Sequence, residues 1–312
     1  MGYLAVVVPA ARARRLPLSR DQLMLLMAAA NEFFLAVDIY LAHSISGTIT
    51  RFEWIPIVFG PVAASLLLLA GLLAIRRREA ASLMATIVFA SSILVGLAGA
   101  YLHWVRAILP SALPGEQVSV PLLVWAPPIL GPLTFSLVGM LGISAAWIEF
   151  PPESGRLTLA RQLRLVLPYS KTRAYLFLVG LGCLATVISS VLDHARTGFA
   201  NPWLWVPTIL GVFGVVAAIG LGLMEQPPAA EVVTYAAAMA ALILLGMLGV
   251  WFHVQSNLTS QGTFVGERFL RGAPSLAPLL FANMGTIGLI ALLDPAEPGW
   301  EGAPEGASTQ AS

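Results

Sequence analysis

The sequence predicts an all-α, polytopic membrane protein with eight transmembrane helices in two tandemly duplicated four-helix halves, related by a parallel pseudo-two-fold. Three observations predict it. Of 312 residues, 58% are hydrophobic and 11% charged, against roughly 25% charged in an average soluble domain. Mean hydropathy is +0.83. Apolar stretches long enough to span a bilayer recur eight times, and the chain repeats itself after about 150 residues. So few charges cannot cover a water-soluble globule of this size, which excludes a soluble enzyme, a nucleic-acid binder and a disordered chain. The single cysteine, Cys183, excludes an internal disulfide and a cysteine-based zinc site.

A helical span needs about 20 largely apolar residues. Segments 22–43, 56–75, 82–104, 126–148, 174–193, 204–224, 232–253 and 275–293 qualify, and none carries Lys or Arg in its interior. They are continuous apolar runs, unlike the alternating segments of an outer-membrane barrel. The division is then a cytoplasmic segment 1–20, a first repeat 21–148, a basic cytoplasmic linker 149–173, a second repeat 174–293 and a disordered cytoplasmic tail 294–312. Twelve of the 17 basic residues fall on the side of the termini and linker, and five on the other: Arg51, Arg106, Arg196, Arg268 and Arg271. The positive-inside rule makes the first side cytoplasmic. A multi-pass protein of the plasma (inner) membrane with both termini inside is expected.

The duplication shows first in the four histidines, His43, His103, His194 and His253. His194 follows His43 by 151 residues, and His253 follows His103 by 150. Trp54-Ile-Pro56 pairs with Trp205-Val-Pro207, and Gly96-Leu-Ala-Gly99-Ala-Tyr-Leu-His103 pairs with Gly246-Met-Leu-Gly249-Val-Trp-Phe-His253. Ala126-Pro127 pairs with Ala277-Pro278. Four spans per half is an even number, so the halves share one orientation.

Each histidine ends an odd-numbered span and so lies near the outer face. Imidazole is the commonest metal ligand and an axial ligand to haem iron; at an interface it also serves as an ordinary snorkelling polar group. Gly96 and Gly99 lie on the face of His103, and Gly246 and Gly249 on that of His253. Such stripes suit close helix packing or clearance for a flat macrocycle. The sequence predicts one bis-histidine haem b site per half, His43 with His103 and His194 with His253. Arg51, Arg106, Arg196 and Arg268 with Arg271 stand in the outer loops, where arginine can hold a propionate or a lipid headgroup. The alternative is one Cu or Zn ion on all four histidines, assisted by Asp193. Glu32 and Asp38, within span 1, are candidate proton or quinone groups; Glu53, Glu116 and Glu267 read as solvated loop residues.

This plan, with a histidine pair in each duplicated half, resembles the heme A synthase family over about residues 20–295. That family sets its histidines on even-numbered spans, with a glutamate three residues before one of them and often an outer-loop cysteine pair. Here the residues at that place are Tyr40, Ala100, Val191 and Val250. The resemblance implies an architecture; the synthase activity is not carried over. The expected function is a b-type haem protein for electron transfer or haem handling, an oxidoreductase or a subunit of one. Its partners would be the lipid bilayer, a quinone pool and other membrane respiratory subunits, and no nucleic acid. The competing classes are a Cu/Zn-binding or translocating protein and a cofactor-free structural or assembly subunit.

Overall fold

The computed structural model describes residues 3, 17–45, 47, 49–160 and 163–295. The predicted disordered tail, from residue 296 on, and most of the predicted basic N-terminal segment lie outside the described residues. A capping box opens the first helix: the Gln22 amide donates to Ser19 Oγ at 3.2 Å and the Ser19 amide to Gln22 Oε1 at 2.8 Å. That helix, α1, runs Arg20–Ile45. It is followed by α2 (Trp54–Ala74), α3 (Arg78–Ala107), a short α4 (Val120–Trp125) and α5 (Leu130–Ala146). After the linker come α6 (Lys171–Ala195), α7 (Trp205–Leu223), α8 (Ala229–Asn257), a short α9 (Gly266–Arg271) and α10 (Leu279–Ala291).

Six of these, α1, α2, α3, α6, α7 (with the turn Pro202–Leu204 before it) and α8, are long and apolar enough to cross a membrane. Their outer surfaces are apolar rather than polar: Leu68, Leu72, Leu94, Val216 and Leu244 are all exposed. Such a surface calls for a bilayer as solvent. The expected fourth and eighth spans are shorter as helices, 17 residues in α5 and 13 in α10. Proline explains the difference. Pro127 and Pro128 precede α5, Pro274 precedes α10, and a residue before proline is pushed out of the α region.

Two buried clusters fill the interior. One joins Ala28, Ala63, Leu67, Val88, Phe89 and Val138 of α1, α2, α3 and α5. The other joins α6, α7, α8 and α10 through residues such as Tyr175, Leu221, Met239 and Ile287, and takes in Met24, Leu141 and Ala145 from the first four.

The linker departs from the all-α expectation and from a plain basic loop. It is a three-stranded antiparallel sheet of β1 (Ile148–Glu149), β2 (Arg156–Ala160) and β3 (Leu163–Val166), paired in chain order. Arg156-Leu-Thr-Leu-Ala160 alternates with period two, and Leu157 and Leu159 are the buried face. Glu149 organises the sheet's attachment: one carboxylate oxygen accepts the amides of Gly155 at 2.7 Å and Lys171 at 2.9 Å.

Beside the sheet, a buried polar cluster ties α1 to α6. Lys171 Nζ donates to Asp21 and to the Trp147 carbonyl. Tyr175 donates to the other Asp21 oxygen at 2.8 Å, and Arg20 donates to Thr172. The Arg20 guanidinium also lies 5.1 Å from the centre of the Tyr175 ring. Lys171 and Tyr175 are fully buried, and Asp21 is 7% exposed. The positive-inside count used Lys171 only as a topological marker, whereas the structure makes it an internal tie.

Candidate functional site

The site is built by glycine and proline before it is built by histidine. A Cβ added to Gly96 would lie 2.6 Å from the Ser136 amide and 2.8 Å from the Pro132 carbonyl. One added to Gly246 would lie 2.6 Å from the Ala282 amide and 2.8 Å from the Pro278 carbonyl. At Gly99 the nearest atom is Pro132 Cβ at 2.7 Å, and at Gly249 it is Pro278 Cβ at 2.6 Å. The glycine stripes therefore seat α5 on α3 and α10 on α8. The clearance expected for a macrocycle is taken by proline rings at Gly99 and Gly249 and by residues of α5 and α10, largely their backbone, at Gly96 and Gly246. Gly96→Val drives a side chain into backbone that cannot rotate away. A loss of about 1–3 kcal/mol or more is expected, as for other overpacked contacts, read as a lower thermal midpoint of the purified protein.

The same prolines orient the histidines. Pro132 has no N–H to give the carbonyl four residues earlier, so Pro128 O is left with only the looser Gly131 bond at 3.3 Å. His103 Nδ1 fills the gap at 2.9 Å. Pro278 leaves the Pro274 carbonyl in the same state, with Ala277 at 3.1 Å, and His253 Nδ1 binds it at 2.9 Å. Both stretches read Pro-x-Leu-x-Pro: Pro128-Ile-Leu-Gly-Pro132 and Pro274-Ser-Leu-Ala-Pro278. These lie 146 residues apart, so Pro132, not Pro127, is the counterpart of Pro278. The offset of 151 does not carry through this stretch, because the loop before α5 is four residues longer than the one before α10. A carbonyl can only accept, so each of these imidazoles carries a proton on Nδ1, and its neutral form offers the Nε2 lone pair that ligates metal.

His43 is held alike, with Nδ1 2.8 Å from the Ile39 carbonyl one turn back. Its ring centre is 6.1 Å from that of His103, with the planes at 61°. Two imidazoles bound in line to one metal, each at about 2.0–2.1 Å, place their ring centres about 6 Å apart; a tetrahedral pair would stand about 5 Å apart. The observed centre-to-centre spacing falls near the in-line value, with the rings meeting edge to face.

The second pair is assembled differently. His194 and His253 lie within electrostatic reach of each other. The His194 ring, however, stands edge-on to Phe199 at 6.1 Å, and its Nδ1 is 3.4 Å from Ser190 Oγ. The single four-histidine centre is not assembled. Among the described residues, no group of three or more His, Cys, Asp or Glu stands close enough to hold a metal ion.

Glu53 is not the solvated loop residue its position predicts. Its side chain is 13% exposed, with Oε1 4.0 Å from His43 Nε2 and 3.4 Å from Arg106 Nη1. The Thr50 amide donates to Oε2 at 2.7 Å. Burial pushes the carboxyl up, but the Thr50 amide, His43 and Arg106 outweigh that and hold it below its ordinary value. Arg106 thus stands beside the first histidine pair. The other outer arginines have other tasks: Arg51 lies over the Phe52 ring, and Arg196 donates to the Val124 carbonyl at 2.9 Å. Arg268 donates to the Ser256 carbonyl, and Arg271 pairs with Glu267.

The acids of span 1 separate. Glu32 is fully buried among α1, α3 and α5, with Oε1 2.6 Å from Ser92 Oγ. Asp38 is on the protein surface, within electrostatic reach of Asp193 on α6. A cavity of about 410 Å³ opens among Ser256, Asn257, Arg268 and Arg271, and one of about 360 Å³ among Tyr3, Glu153, Tyr169 and Arg173. Neither is lined by a histidine. No family model, curated protein or solved structure matches the chain.

Proposed function

We propose that the first half of this protein binds a b-type haem between His43 and His103 and that the protein moves electrons, or handles haem, at the outer face of the plasma (inner) membrane. The observation that carries the reading is the 6.1 Å separation of two imidazoles, each anchored through Nδ1 to a backbone carbonyl. Haem would supply one-electron exchange at that point. His43 and His103 would hold the iron through Nε2, with the porphyrin beyond the Gly96–Gly99 stripe, whose space α5 fills. Arg106 is the cation placed to meet a propionate once it parts from Glu53. The His194–His253 pair is a second site of the same plan, whose His194 ring must leave Phe199 to face its partner. A quinol on the bilayer side and an acceptor outside, such as another respiratory subunit, are the partners this placement suits.

The architecture we propose with it is eight crossings in two like-oriented halves with both termini cytoplasmic. The matching Gly–Pro–His contacts in the two halves support the duplication, and the charge asymmetry supports the orientation. The two short helices, α5 and α10, would complete the fourth and eighth crossings together with the non-helical stretches before them.

A Cu or Zn ion is the second reading. The observation favouring it is Glu53, a third donor that needs to close a 4.0 Å gap to join His43 and His103. An absorption spectrum with pyridine extraction and elemental analysis on protein from haem-replete cells decides between them. A Soret band with low-spin bis-histidine features is expected. Stoichiometric Cu or Zn without porphyrin would replace the haem reading with the metal one. A colourless, metal-free preparation would leave the assembly-subunit class.

A further inference from the structure

Glu32 sits midway along α1, 11 residues from both Asp21 and His43, or about 16 Å from either. The helices packed on this stretch of α1 offer it no counter-charge. The sequences of α2, α5 and α10 contain no ionisable side chain. Those of α3 lie toward its ends: Arg78 and Glu79 at one, and Tyr101, His103 and Arg106 at the other. On α1 itself the charged groups are Arg20 and Asp21 at one end, and Asp38 and His43 toward the other. Ser92 is the polar side chain that Glu32 meets.

The hydrogen bonds fix the rest. Ser92 Oγ is 2.6 Å from Glu32 Oε1 and 2.9 Å from the Phe135 carbonyl, and it has one proton to donate. If it donates to Glu32, a neutral Glu32 would have a buried O–H with no acceptor, and an ionised one would be an uncompensated charge in an apolar bundle. If Ser92 donates to Phe135 O, a protonated Glu32 donates to Ser92 and every donor is used. Glu32 Oε2, which has no hydrogen-bond partner, is then the neutral C=O of an acid.

We propose that Glu32 is a proton-binding site: a carboxylic acid that keeps its proton at neutral pH and ties α1 to α3 and α5 through the relay Glu32 O–H to Ser92 O–H to the Phe135 carbonyl. It belongs to one half only, since the position 151 residues on is the buried Cys183. Removing the proton requires α1 to part from α3 and α5, so that water reaches the carboxylate. The site is independent of any cofactor at the histidines.

Infrared difference spectroscopy on the full chain in lipid nanodiscs tests it. Wild type minus Glu32→Gln at neutral pH should show an acid C=O band at the high frequency of a carbonyl accepting no hydrogen bond, lost in the variant. Glutamine is nearly isosteric and can still donate to Ser92. Ser92→Ala serves as the second variant: the acid C=O band should persist and shift as its O–H loses its acceptor. Carboxylate bands in place of the acid band, in either difference, overturn the proposal.

Discussion

Replacing His103 with alanine is expected to remove one haem's worth of Soret absorbance from the purified protein, leaving any second-half signal in place. The ring stands 6.1 Å from His43, and no other imidazole is brought into ring contact with that pair among the described residues. His43→Ala should have the same effect. A subtler variant tests the orienting device. Pro132→Ala keeps both histidines but returns an N–H that can reach the Pro128 carbonyl. The His103 Nδ1 then shares its acceptor with the helix. Loss of such an orienting partner typically weakens ligation about 10–100-fold, so haem affinity by titration should fall while the bound spectrum stays bis-histidine. Alanine also leaves Gly99 underpacked, and the thermal midpoint of the ligand-free protein measures that part separately. Unchanged absorbance in His103→Ala would remove the first-half site altogether.

Lys171→Met is expected to be the most destabilising single change at the opposite end of the bundle. It leaves the Asp21 carboxylate buried with its main cation gone. Breaking a buried ion pair from one side commonly loses about 3–5 kcal/mol. Arg20 Nε, 3.5 Å from Asp21 Oδ1, retains part of the compensation, which favours the lower end of that range. The double variant Asp21→Asn with Lys171→Met should recover much of the loss, because a neutral pair no longer carries an unpaired charge. Denaturant or thermal unfolding in detergent, run on Lys171→Met, on Asp21→Asn and on the double variant, gives the coupling directly. Additive losses would show that the two side chains are stabilised independently.

Much of the membrane plan was legible because a bilayer imposes length and composition directly. Six long helices fall on predicted spans. Spans 4 and 8 were overextended because hydropathy counts proline and glycine residues that helices do not use. The linker sheet announced itself only in Arg156-Leu-Thr-Leu-Ala160, a pattern too short to outweigh its many arginines. His43 and His103, expected to pair within the first half, stand in ring contact. What lay beyond sequence reasoning was the division of labour around it. Glycines below His103 looked like space for a ligand, yet they are space for Pro132. Recurrence of Pro-x-Leu-x-Pro was available as a signal, hidden by a four-residue difference in loop length. Glu53 and Lys171 could not be placed by spacing, since each acts across elements whose closeness only folding creates.

The brevity of α5 and α10 reaches beyond their own packing. At 1.5 Å per residue they rise about 26 Å and 20 Å, less than the roughly 30 Å of hydrocarbon that the fourth and eighth crossings we propose would have to match. Lipid beside such helices thins to meet them. Both helices begin just after the carbonyls that His103 and His253 bind, so the thinning would fall on that leaflet. In the eight-crossing arrangement proposed above, the membrane would dimple around the imidazoles of both halves.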